Sequence, residues 1–307
     1  MKKTRFIGII LLLITAFIWG VAFVAQSVGM EKITPLVFSS ARMIIGGCSL
    51  IPVIISLDMY KYKGLNSEKR SEYKKRTRSS LFYGLILGIV FCVACNFQQY
   101  AFVYSQPGKV AFITAIYMLF VPLLCIFMGK RVALLNWICI FLGLIGLFLL
   151  CIDINNFSAI NIGDVLALCG AFFYAIHIIL IEKFAPLADG IKLSCVQFFT
   201  GGIITLVPAL IFEQFIWENI LSAIGPILYA GLCSCGIAYT FQILGQKYVE
   251  SSFATLIMSM ESVFAVLSSA IILGSVLSVQ ETLGCIIMFI AIIIPQIWEI
   301  YKHRKSK

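Results

Sequence analysis

The chain has 307 residues, of which 61% are hydrophobic and only 12% charged, about half the roughly 25% charged share of a soluble domain. That excludes a soluble enzyme carried on an anchor: the longest stretch outside the apolar segments, Asp58–Ser79, is 22 residues. The net charge of +9 does not point to nucleic acid, because the basic residues sit in short connections beside apolar runs, where topology signals lie, and no nucleic-acid-binding module is present.

Ten apolar segments follow in order: Phe6–Val28, Pro35–Leu57, Ser80–Val103, Lys109–Met128, Leu134–Ile152, Gly163–Ile181, Ile191–Phe212, Ile220–Leu244, Ser251–Leu273 and Glu281–Ile300. Each suits a membrane-crossing helix of about 20 residues. Short connections make consecutive segments antiparallel. Segment 1 has the basic start and apolar run of a signal peptide, but it is one copy of a repeated unit, so it is expected to be retained.

With the N-terminus inside, 20 of the 23 Lys and Arg residues fall on inner connections and only Lys32 and Lys109 on outer ones. The positive-inside rule then places both termini in the cytoplasm. Asp58–Ser79 reads as a basic cytoplasmic loop that marks topology or binds anionic lipid. The eleven cysteines lie in or beside apolar segments. Cys92 and Cys95 have a redox or metal spacing, but no second pair of that kind exists and the histidines are only His177 and His303. They read as small packing residues, with no disulfide, metal or cofactor expected.

The halves resemble each other. At an offset of 155, Ala16-Phe17 matches Ala171-Phe172, Trp19 matches Tyr174, Arg42 falls on Gln197, and Gly46-Gly47 on Gly201-Gly202. At an offset of 144, Tyr117 falls on Glu261 and Phe120 on Phe264, while segments 3 and 8 align at 143 or 144. Residues 6–152 and 163–300 are thus two five-helix repeats. Five is odd, so the second is inverted. Inverted repeats are the architecture of alternating access, with the site near the midplane between them.

Taken together, Ala16–Gln26 (AFIWGVAFVAQ), Thr34–Gly47 (TPLVFSSARMIIGG), Ala111–Leu124 (AFITAIYMLFVPLL), Gly163–Ala175 (GDVLALCGAFFYA) and Met258–Ser269 (MSMESVFAVLSS) resemble the drug/metabolite transporter superfamily, in particular its EamA-type members. The resemblance implies an all-α polytopic membrane protein with ten helices around a central cavity, segments 1–4 and 6–9 lining it and 5 and 10 peripheral. The chain departs from the family pattern in reading Gly129-Lys130-Arg131 for Gly-Glu-Arg, Glu261-Ser262 for Glu-Pro, and Gly274-Ser275-Val276 without a Glu.

Helical spacing gathers polar and aromatic residues on single faces. Trp19, Phe23 and Gln26 share one; so do Cys92, Asn96 and Gln99; Thr114 and Tyr117; Tyr174 and His177; Cys235, Tyr239 and Gln242; and Met258 and Glu261. Trp19, Gln26, Asn96, Gln99, Tyr117, Tyr174, His177, Tyr239 and Gln242 are the candidate cavity residues. The amides serve equally as interhelical hydrogen-bonding groups, and His177 as either a proton carrier or a hydrogen-bonded core residue. Arg42 and Glu261 are the charges within the membrane, an expensive place for either. At 1.5 Å per residue they lie roughly 11 and 15 Å from opposite surfaces. They are expected to pair in at least one state, with substrate or a proton competing.

These features point to a secondary transporter without catalytic constellation. Its expected substrates, by analogy with the family, are amino acids or similar small metabolites, exported across a bacterial plasma membrane. A flippase for a lipid or lipid-linked sugar, or a carrier of other specificity or direction, is the alternative. The bilayer and a small molecule are the expected partners, and the chain is a monomer or a homodimer through segments 5 and 10.

Overall fold

In a bilayer every backbone amide must be bonded within its own segment, and apolar runs of this length meet that demand as helices. The structure, a computed structural model, describes residues 2–62, 67–105, 107–152, 160–273 and 277–305. It is all helix, with no strand among the described residues. Helices α1 (Lys2–Met30), α2 (Pro35–Tyr62) and α3 (Ser67–Tyr104) are segments 1 to 3. Segment 4 is split into α4 (Pro107–Ala115) and α5 (Tyr117–Phe127), and segment 5 is α6 (Leu134–Cys151). Segments 6 and 7 are α7 (Ile162–Phe184) and α8 (Gly190–Phe212). A short α9 (Trp217–Ser222) precedes segment 8, which runs as α10 (Ile224–Leu228), a π-helical stretch Tyr229–Tyr239, and α11 (Thr240–Gln246). Segment 9 is α12 (Ser251–Met258) and α13 (Met260–Leu273), and segment 10 is α14 (Val279–Lys305).

Nine helical stretches among the described residues are long and apolar enough to cross a membrane, and α14 carries a shorter apolar run, Val279–Pro295. The expected loop Asp58–Ser79 is different from the sequence reading. Helix α2 continues to Tyr62, and α3 begins at Ser67, a full three turns before its apolar part. Lys192 explains part of this: its ammonium bonds Asp58 (2.8 Å), Tyr73 (2.9 Å) and Thr77 (3.0 Å), tying both helical extensions to the start of α8. Residues 63–66 and the expected departure at 274–276 lie outside the described residues.

Packing follows the repeat. Inversion exchanges segments 1 with 6, 2 with 7, 3 with 8, 4 with 9 and 5 with 10. Accordingly α3 packs on α7 and α8, while segment 8 packs on α1 and α2. Helices α4 and α5 pack on α7, as α12 and α13 pack on α1, and α2–α8, α5–α12 and α6–α14 meet their own counterparts. The matched double glycines make the α2–α8 contact close: a Cβ on Gly202 would stand 2.9 Å from the Ile44 side chain, and one on Gly47 3.0 Å from Phe199. The π winding of segment 8 has no counterpart in α3. It spends an extra residue per turn, a physical reason why the two segments align only to within a residue.

The helix ends define two faces. One carries Arg70, Lys74, Lys75, Arg76, Arg78, Lys130, Lys183, Lys192 and Lys247 and is called the basic face. There Lys130 bonds Glu182 (2.6 Å), whose other oxygen accepts from Ser251 N (3.1 Å), joining the ends of α5, α7 and α12. Burial weakens the hold of Lys130 on its proton, but the hydrogen bond and charge of Glu182 outweigh that and raise its pKa. On the far face Lys109 pairs with Asp164 at 2.6 Å. Asp164 is also half of a reciprocal capping box with Asn161 that starts α7.

Candidate functional site

A cavity lies where the two sets of helices face each other, lined from α1 by Trp19, Ala22, Phe23 and Gln26, from α2 by Arg42, and from α3 by Gln98. Thr114 and Tyr117 come from segment 4, and Tyr174, His177 and Ile178 from α7. Ser234, Tyr239 and Gln242 come from segment 8, and Glu261 from α13. No residue of α6, α8 or α14 is among them. The space is only about 40 Å³, room for about three or four waters at roughly 10–15 Å³ each. This conformation is therefore contracted around its centre.

The cavity's charges are held by neutral groups. Arg42, 4% exposed, donates from Nη1 to Gln26 Oε1 (2.7 Å) and from Nη2 to the Cys95 sulfur. Its Nε has no partner. Glu261, 5% exposed, accepts from the Tyr117 hydroxyl at 3.1 Å. The expected Arg42–Glu261 ion pair is not formed in this state, since neither residue has a charged partner within 4 Å among the described residues. Gln26 and Cys95 occupy one head group and Tyr117 the other.

Tyr117 and Glu261 are the residues that the 144-residue offset makes equivalent, so their bond joins the two repeats. Each sits beside a break. Segment 4 is interrupted at Ile116 and segment 9 at Ser259, with ψ values of −13° and −12°. A tightened i→i−3 bond spans each: Leu119 N donates to Ile116 O (2.8 Å) and Ser262 N to Ser259 O (3.2 Å). In segment 9 this happens without the proline of the family pattern. The Ser259 hydroxyl bonds Leu256 O instead, a local side-chain bond of the type that bends helices.

Among the described residues, four buried polar atoms of the lining have no partner: Trp19 Nε1, Arg42 Nε, His177 Nδ1 and Gln242 Oε1. An unpaired buried polar group costs about 1–3 kcal/mol. Their convergence on one space marks it as built for something polar. His177 is fully buried; its Nε2 bonds Gln197 Oε1 of α8 at 3.1 Å, so as assigned Nε2 carries the hydrogen and Nδ1 offers a lone pair. The walls between are aromatic: Trp19 and Tyr239 have ring centroids 4.5 Å apart, and Phe91 lies 4.8 Å from Tyr239.

Of the residues singled out from the sequence, Trp19, Gln26, Tyr117, Tyr174, His177, Tyr239, Gln242, Arg42 and Glu261 line this cavity. Asn96 and Gln99 do not. Asn96 donates to Thr205 on α8 at 2.9 Å, the interhelical role left open for it. Gln99 is fully buried with neither amide atom partnered. The α3 residue that does reach the cavity is Gln98, which accepts from the Tyr174 hydroxyl (3.0 Å) and donates to Thr114 (3.3 Å). The signal was present: Phe91, Cys95 and Gln98, at i, i+4 and i+7, form the face next to the one chosen. Among the described residues no group of three or more His, Cys, Asp or Glu is placed to hold a metal.

Comparison with known proteins agrees with this architecture. The family model of EamA-like transporters matches residues 6–152 and again 161–295, once per repeat. An uncharacterized transporter of Archaeoglobus fulgidus is 25% identical over 92% of this chain and 83% of its own length. The uncharacterized transporter YwfM of Bacillus subtilis is 25% identical over 92% and 91%, and YoaV of the same organism 23% over 88% and 90%. A solved crystal structure superposes with a TM-score of 0.75 over 97% of this chain and 98% of its own, at 15% identity, a likeness of fold alone. The protein is a multi-pass membrane transporter, and with both halves matched in turn the chain belongs to the EamA-like transporter family.

Proposed function

We propose that the protein is a secondary transporter that carries small zwitterionic metabolites, amino acids first among them, out of the cell by alternating access. The observation that carries this reading is the Arg42 guanidinium and the Glu261 carboxyl buried in one cavity, each held by neutral groups. A buried charge without a counter-charge is costly. A ligand with a carboxylate for Arg42 and an ammonium for Glu261 offsets both costs at once. Trp19 Nε1 and Arg42 Nε are further donors for the anionic end, and Gln242 Oε1 and His177 Nδ1 further acceptors for the cationic end. The contracted cavity and the breaks of segments 4 and 9, which fall within one residue of each other in the repeat, support a cycle in which the site opens to one side at a time. Cytoplasmic termini rest on the charge asymmetry of the connections; export and a plasma-membrane location rest on analogy with the family.

Counterflow in proteoliposomes tests it. Neutral amino acids are expected to exchange, whereas analogues lacking the carboxylate (amines) or the ammonium (N-acetyl amino acids) are not. Exchange of single-charge analogues as fast as the zwitterions overturns the substrate reading. Scrambling of a labelled phospholipid by the same vesicles, with no amino-acid exchange, favours the flippase instead.

A further inference from the structure

Two helix starts that the repeat makes equivalent are capped differently. The offset of 155 that matches α2 to α8 brings Thr34 onto Asp189, Leu36 and Val37 onto Ile191 and Lys192, and Asp58 onto Glu213. At α8 the cap is local: Asp189 Oδ1 accepts from Ile191 N (3.1 Å) and Lys192 N (3.2 Å). At α2 Thr34 holds the same place, a good N-cap residue followed by Pro35 in the position helices favour for proline. Its hydroxyl is nevertheless buried without a partner. The two amides it would serve are taken from a distance by Glu213, just past the end of α8, whose Oε2 accepts from Leu36 N (3.0 Å) and Val37 N (2.9 Å). The equivalent acid, Asp58 near the end of α2, is not on the α8 amides but on the Lys192 ammonium (2.8 Å). Each acid also accepts a phenol from α3: Glu213 from Tyr100 (3.2 Å), Asp58 from Tyr73.

We propose that Thr34/Glu213 and Asp189/Asp58 are two copies of one cap switch, set in opposite positions at the two ends of the α2–α8 pair. On the far face the acid clamps the helix start and the local cap is idle. On the basic face the local cap is engaged and the acid stands off on Lys192. Exchanging the two arrangements between the repeats releases Glu213 as Thr34 caps α2, while Asp58 takes the α8 amides from Asp189. The first-turn amides have no intrahelical acceptor, and the exchange keeps those at both starts bonded in either state, so the clamp lets go without stranding buried donors. The inference rests on the alternating-access reading above and adds the residues that close each face.

Hydrogen exchange read by mass spectrometry on the full-length protein in nanodiscs tests this without any substrate, so a negative counterflow result leaves it readable. The Glu213→Ala variant is expected to keep the Leu36 and Val37 amides protected, because Thr34 takes them over. Adding Thr34→Ala should then speed their exchange roughly three- to tenfold. Thr34→Asp, which copies the α8 cap, should loosen the Glu213 segment while the Asp58–Lys192 region exchanges more slowly. The switch is overturned if Glu213→Ala alone strips the protection and Thr34→Ala adds nothing, or if Thr34→Asp leaves both faces unchanged. Unaltered melting of the variants shows that neither result comes from misfolding.

Discussion

A guanidinium keeps its charge in any protein environment, so Arg42 has to be solvated by whatever lines its cavity. Gln26 supplies one acceptor and the Cys95 sulfur a weak second. Replacing Gln26 with Leu leaves Nη1 bare. The expected loss is about 1.5–3 kcal/mol, the range for hydrogen bonds to charged groups, seen as a lower unfolding midpoint in detergent. Gln26→Glu, which restores an acceptor and adds a counter-charge, should recover it. On the other wall, Tyr117→Phe and Glu261→Gln are expected to be non-additive in stability, because the two share one bond. Additive losses would mean that the contact is incidental. Most of this site was legible in the sequence, since helical spacing alone groups Trp19 with Gln26 and Tyr174 with His177. Gln98 was not distinguishable from Gln99 because adjacent residues on a helix differ by about 100° in direction, and only the packing of α3 on α7 and α8 decides which face looks inward.

Among the elements, the peripheral pair α6–α14 is held by close backbone approach. A Cβ on Gly146 would meet Gly284 O at 3.0 Å, and one on Gly284 would meet Gly146 O at 2.8 Å. Their outer sides expose Phe141, Ile145, Ile286 and Ile290, as lipid contact requires. The small-residue faces are thus used within the chain. Gly284→Leu should push the helices apart at a cost of about 1–3 kcal/mol, the usual range for overpacking, read by thermal unfolding. Ile286→Leu on the lipid side should change stability little. The family resemblance implied that segments 5 and 10 are peripheral, and their few interior polar groups suit that place. The breaks in segments 4 and 9 were not, because Ile116 and Ser259 are ordinary helix residues by composition. The breaks lie in i→i−3 bonding beside the Tyr117–Glu261 contact, a long-range feature.

At the scale of the molecule, the inverted repeat was legible from residue matches, and the helix pairing follows it almost throughout. Two features lay beyond the sequence. The helical extensions beside residues 63–66 are tied together by Lys192, which is far away in the chain. The contracted cavity is a property of the conformation. The central claim is that this cavity holds the transported molecule, and Cys95 reports on it from just behind the lining: its sulfur accepts from Arg42, and it is fully buried, so a maleimide reaches it only when the cavity opens. Alkylation of each cysteine can be followed by peptide mass spectrometry, with a cysteine introduced at exposed Glu72 on the first turns of α3 as the internal control. At ten times its Kd, a transported amino acid is expected to slow Cys95 modification about tenfold and to leave the Glu72→Cys control unchanged. An unaltered Cys95 rate under saturating, actively transported substrate would contradict the account.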